Sequence, residues 1–170
     1  MKKEVNKSKN IFWCVLVIIL LSVIGYIVIQ LYFGWLRENT KEESIFVAEE
    51  FFSAMQTHDI TKLDGIMSDD ALLRQLNRAT YEEGRQEIMQ KWENADFTAE
   101  GGEIMSTSSF HETYAVIILD NITLKGKFGE CDYIHFNMTI ERIDSDDYKI
   151  VEIAVFGDSN VVKQVWYTGN

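Results

Sequence analysis

Three histidines, two cysteines and 27 acidic residues are the groups in this 170-residue sequence with which chemistry could be done. Spacing decides which of them can act together. His58, His111 and His135 form no H-x-x-x-H or H-E-x-x-H pair, so no zinc site is expected. His58-Asp59 and His111-Glu112 each set a carboxylate beside an imidazole, but neighbouring side chains diverge, and both pairs read as caps or loop residues. Cys14 lies in an apolar run far from Cys131, which excludes a disulfide framework or a cysteine metal site and leaves Cys131 as a small buried residue, with a reactive or intermolecular thiol as the alternative. Asp144, Asp146, Asp147 and Glu152 resemble a calcium loop superficially, but the glycine at the sixth position is missing and strands rather than helices flank them. A solvated hairpin is the better reading. With no glycine-rich phosphate loop and no G-x-S-x-G element, neither a metal, a cofactor nor a catalytic constellation is expected.

A lone acid or base could still act inside an apolar pocket that tunes its pKa. Asp120 closes the apolar run Tyr114 to Leu119 and is the carboxyl best placed for this, the alternative being a strand-end turn residue leading into Asn121. Phe52, Met55, Trp92 and Phe136 are the candidates to line such a pocket; the blander reading is that they fill a core. Tyr133 and His135 share the strand face opposite Ile134, Phe136 and Met138, which puts them on the surface or in a contact between chains.

The element behind which all of these residues lie is the stretch Ile11 to Trp35, which carries no charge. As a helix its apolar part from Ile11 to Ile29 spans roughly 28 Å, the thickness of a bilayer's hydrocarbon core. The run is longer than the apolar region of a signal peptide and is followed by Gln30 to Arg37, which offers no small-residue cleavage site. A retained single span over 11–36 is expected. Trp13 at one end and Tyr32 and Trp35 at the other sit where interfacial aromatics belong.

Four lysines against one glutamate in residues 1–10 make a basic tail, so the net charge of −11 leaves −14 for the chain beyond the span. The positive-inside rule then puts residues 1–10 in the cytoplasm and the rest outside, in a plasma membrane. So acidic a domain is repelled by phosphate backbones and by anionic lipid headgroups, and nucleic acid is not an expected ligand. After a short link at 37–42, one domain is expected over 43–157 and a tail over 158–170. Proline is absent, so turns fall to Gly, Asn, Asp and Ser.

Within the domain, Thr40-Lys41-Glu42-Glu43 has the form of a capping box and predicts a helix start, followed by Ile45, Ala48, Phe51, Phe52 and Met55 on one face. His58-Asp59 ends that helix. Asp59 or Thr61 caps a short second one with Ile60, Leu63, Ile66 and Met67 inward, stopped by Ser68-Asp69-Asp70. Leu72, Leu73 and Leu76 read as short helix or irregular chain. A second capping box, Thr80-Tyr81-Glu82-Glu83, predicts a helix carrying Gly84, Ile88 and Trp92. The period then changes to two, giving strands over 97–107 (bulged at Gly101-Gly102), 111–124, 131–143 and 148–156. A short final helix through Val161, Val162, Val165 and Trp166, or a fifth strand, closes the chain. The fold class is α+β: a transmembrane helix, then helices packed on a curved antiparallel sheet of about four strands.

AEEFFSAMQTHDITKLDGIMSDDALL, EEGRQEIMQKW and DDYKIVEIAVF together resemble the nuclear-transport-factor-2-like superfamily over residues 43–157, through Phe51, Phe52, Leu63, Asp69, Asp70, Gly84, Arg85 and Ile88. The resemblance implies a cone whose sheet wraps the helices and can enclose a cavity. Its members include isomerases, dehydratases, cyclases, ligand binders and assembly domains. The layout of tail, span and exported domain is similar to that of inner-membrane assembly components of type IV secretion and conjugation machines. A membrane-anchored binding or assembly protein of the cell envelope, with protein partners or self-association, is the leading expectation. A tethered enzyme or small-molecule binder using the cone cavity is the alternative.

Overall fold

The computed structural model describes residues 2–74, 82–94, 97–105, 110–126, 129–145 and 147–157. One helix, α1 (Lys2–Thr57), runs for 56 residues, roughly 84 Å. Its first part is apolar and exposed over the span, and by length and composition it can cross a membrane. The same helix then enters the domain. Thr40 does not open it, contrary to the capping-box expectation, and the proposed link at 37–42 is helical. The physical reason is cooperativity: a helix already formed through the span extends residue by residue without a second nucleation. The Thr40 hydroxyl is thereby released for a tertiary contact.

His58, at φ 54°, turns the chain out of α1. Asp59 then caps α2 (Ile60–Ile66), accepting from the Lys62 N–H at 3.0 Å. Met67 is extended, so the second helix ends one residue earlier than the apolar pattern suggested. The segment after it is neither helix nor irregular but strand β1 (Met67–Arg74), with Ala71 and Leu73 buried. Leucine has little intrinsic preference here, and the edge of the last strand supplies a ladder to join. Leu76 lies outside the described residues, as do Thr80 and Tyr81. Of the second capping box, Glu82 and Glu83 belong to a short strand, β2 (Glu82–Gly84), and the helix starts later, as α3 (Arg85–Asn94). The backbone of 82–84 is engaged by Leu72–Arg74 and so is lost to the helix.

β3 (Phe97–Met105), β4 (Tyr114–Gly126), β5 (Gly129–Arg142) and β6 (Tyr148–Phe156) form the expected antiparallel meander. The sheet is larger than that and mixed, with order β2-β1-β6-β5-β4-β3 and β1 parallel to β6. At Gly101-Gly102 the register to β4 does not slip, so no bulge is inserted there. Both glycines and the facing Asn121 take positive φ instead, which bends the two strands together. The bulge falls on the other side of β4: Leu119 pairs with Phe136 and Ile122 with Ile134, so Asp120 and Asn121 face the single residue His135. The core lies between the inner sheet face and α1 to α3, and it includes Phe51, Met55, Leu63, Ile88, Trp92, Phe136 and Ile153. The expected C-terminal helix and the Cys131 and Tyr133 side chains fall outside the described residues.

Candidate functional site

Met55, Trp92 and Phe136 belong to the core and are at most 1% exposed. Phe51 joins them, its ring centroid 5.4 Å from Phe136 and 5.8 Å from Trp92. Phe52, one residue on, leaves this group for the flank of β3, where it lies over Gly102. A Cβ on Gly102 would stand 2.7 Å from the Phe52 ring, so glycine is what lets the helix approach the strand so closely. These apolar candidates therefore pack the interior. The nearest imidazole is His58, stacked almost parallel to Trp92 at 6.4 Å.

Asp120 does not face that interior. The bulge turns Leu119 and Ile122 both inward, and Asp120 points to the outer face of the sheet with His135. This corrects its assignment as a pocket residue; sequence periodicity could not place it, because a bulge resets the alternation of faces. Asp120 Oδ1 accepts from the Asn121 N–H at 2.8 Å and lies 3.8 Å from His135 Nδ1. His135 stacks on Phe156 at 4.5 Å, and Asn121 Nδ2 donates to Glu103 Oε1 at 2.5 Å. Both Asp120 and His135 are partly exposed, so neither is desolvated in an apolar pocket.

A cleft of about 750 Å³ opens between α2, β2 and α3, lined among others by Ile60, Asp64, Asp69, Arg85, Glu87, Met89 and Glu93. Arg85 organises it. Its guanidinium donates to the Asp69 carboxylate, to Asp64 Oδ1 at 2.5 Å and to the Asp64 carbonyl at 3.0 Å. The acidic residue and the Gly-Arg element that carried the superfamily resemblance are thus one structural tie, joining α3 to α2 and β1. Each guanidinium arm already holds a carboxylate, so Arg85 is poorly placed to receive an anionic ligand as well.

A second polar cluster lies where α1 enters the domain. Thr40 and Ser44 are wholly buried. The Thr40 hydroxyl lies 3.1 Å from the Glu112 carbonyl oxygen and 3.0 Å from the Tyr148 hydroxyl. Arg37 binds the Glu112 carboxylate, Nε at 2.8 Å and Nη2 at 2.7 Å. Hydrogen bonding from its own backbone N–H, and then from Arg37, holds the Glu112 carboxyl below the usual glutamate range. The sequence carried no signal for this cluster, since Thr40 and Tyr148, in direct contact, are 108 positions apart. Among the described residues, no group of three or more His, Cys, Asp or Glu is arranged to hold a metal ion.

No protein-family model matches the chain, and no curated protein sequence does either. Solved structures do match. An NTF2-like protein of unknown function in nutrient uptake from Rhodospirillum rubrum superposes with a TM-score of 0.55 at 14% identity, covering 66% of this chain and 96% of the other. A conserved protein from Planctomyces limnophilus gives 0.51 at 17%, covering 69% and 96%. An epoxide hydrolase resembling LEH, from M. tuberculosis, gives 0.52 at 15%, covering 74% and 90%. At such identities the likeness establishes the fold alone. This chain has the nuclear-transport-factor-2-like fold, carried on a helix long and apolar enough to cross a membrane.

Proposed function

We propose that the protein is a single-pass membrane protein whose domain outside the cytoplasm binds or assembles with other proteins of the cell envelope. The observation that carries this reading is the continuity of α1 from the apolar span into the domain core, locked at the entry by Arg37, Thr40, Glu112 and Tyr148. A helix without a flexible joint holds the domain at one orientation to the bilayer. Fixed orientation favours assembly in the membrane plane, where it removes part of the entropy that association would otherwise cost. The outer sheet face, with Asp120, His135 and Phe156, is the surface offered. Conjugation or secretion apparatus is the narrower assignment, supported by the shared layout of basic tail, span and domain.

The test is twofold. Single cysteines at Lys7 and Glu130 are probed with an impermeant maleimide on intact cells, with Glu130 expected to react and Lys7 only after permeabilisation. A photo-crosslinker replacing Asn137, on the outer face, should give discrete adducts of higher mass. Labelling in the reverse order removes the orientation, and a chain that stays monomeric in detergent and yields no adduct removes the assembly role. A second reading, a tethered binder of small molecules, is favoured by the cleft beside Arg85 rather than by the packed cone interior.

A further inference from the structure

We propose that the turn between β5 and β6 is a second membrane contact, with Ile143 seated in the headgroup region of the leaflet from which α1 emerges. This rests on the reading of α1 as a membrane span. Height along α1 carries the argument. Trp35, whose ring stacks on Tyr32 at 6.3 Å, is 62% exposed and marks the aromatic rim. Leu36, the next residue, is 8% exposed, so the domain covers the helix from the first position beyond the rim. Thr40, hydrogen-bonded to Tyr148, stands roughly 7–8 Å further along the axis, about the depth of one leaflet's headgroup layer.

Strand direction does the rest. β5 passes Phe51 of α1 at Phe136 and ends at Arg142, paired with Tyr148, whose hydroxyl meets that of Thr40. Roughly 20 Å of strand thus descends roughly 16 Å of helix, so β5 runs steeply toward the bilayer. The chain beyond Arg142 continues that course past the level of Thr40, into the headgroup layer. It turns tightly, the Ile143 N–H donating to the Asp147 carbonyl oxygen at 2.8 Å. Ile143 is 54% exposed, one of few large apolar side chains beyond the span to be so among the described residues. The Asp147 carboxylate, 3.2 Å from Lys149 Nζ, keeps the seat shallow by holding the turn at the level of the polar headgroups.

The experiment uses the full-length chain with Cys14 and Cys131 replaced by alanine, reconstituted into phosphatidylcholine vesicles. An environment-sensitive fluorophore is attached to a single cysteine at Leu20, Ile143 or Glu130. The labels at Leu20 and Ile143 should emit blue-shifted light and lose intensity to nitroxide-bearing lipids, the Ile143 label most to nitroxides near the headgroup. The Glu130 label, at the far end of β5, should emit as in water and be quenched only by aqueous iodide. An Ile143 label that behaves like Glu130 while Leu20 is in lipid overturns the second contact and leaves the anchor standing. A Leu20 label in water overturns both.

Discussion

At Gly102 two constraints coincide, and either alone would select glycine. Its φ of +88° is strained for any L side chain, and an added Cβ would meet the Phe52 ring. Gly102→Ala is expected to destabilise the protein by about 2–3 kcal/mol in chemical denaturation of the detergent-solubilised chain. Adding Phe52→Leu should restore part of the loss by relieving the clash; no recovery would mean that backbone strain is the whole cost. Glu112 makes a prediction in pH. Its carboxyl is held below its ordinary pKa of 4.5, so it stabilises the fold at pH above that value, and the contribution is lost as pH falls through the depressed folded value. Glu112→Gln should lower the melting temperature at pH 7 and narrow the gap between pH 7 and pH 3. An unchanged gap would show that the Arg37 contact contributes nothing to acid sensitivity.

Between elements, Arg85 ties α3 to α2 and β1 through a single guanidinium. Because its carboxylate partners are largely exposed, Arg85→Gln is expected to cost only about 1 kcal/mol globally. The effect should be uneven: amide exchange in α3 should speed up while β4 and β5 keep their protection. Uniform acceleration would mean that Arg85 supports the whole fold rather than one helix. The same scale shows which elements could be read from sequence. β6 and the burial of Ile88 and Trp92 follow from local period and hydrophobicity, and they were legible. β1 and β2 were not, because residues 67–74 and 82–84 are extended only by pairing with each other and with β6. Two capping-box patterns misplaced helix starts for a related reason. At Thr40 a helix was already running, and at Glu82 a ladder had taken the backbone.

For the whole molecule, the junction with the apolar part of α1 sets where the domain begins. A fragment starting at Thr40 should fold, but one starting at Leu36 should be more stable by about 2 kcal/mol, since it keeps the buried leucine. Equal unfolding midpoints would place the boundary at Thr40, and failure of the shorter fragment would move it toward the span. The sequence by itself determined the apolar helix, the acidic α+β domain behind it and the meander over 97–156, because charge, composition and short-range period are local properties. Tertiary structure decided the rest. It buried Met55, Trp92 and Phe136 in one core with Phe51, turned Asp120 to the outer face through a bulge, and joined Thr40 to Tyr148. Such contacts depend on register and on distant partners, and no local pattern encodes which strand slips by one residue or which hydroxyl meets which.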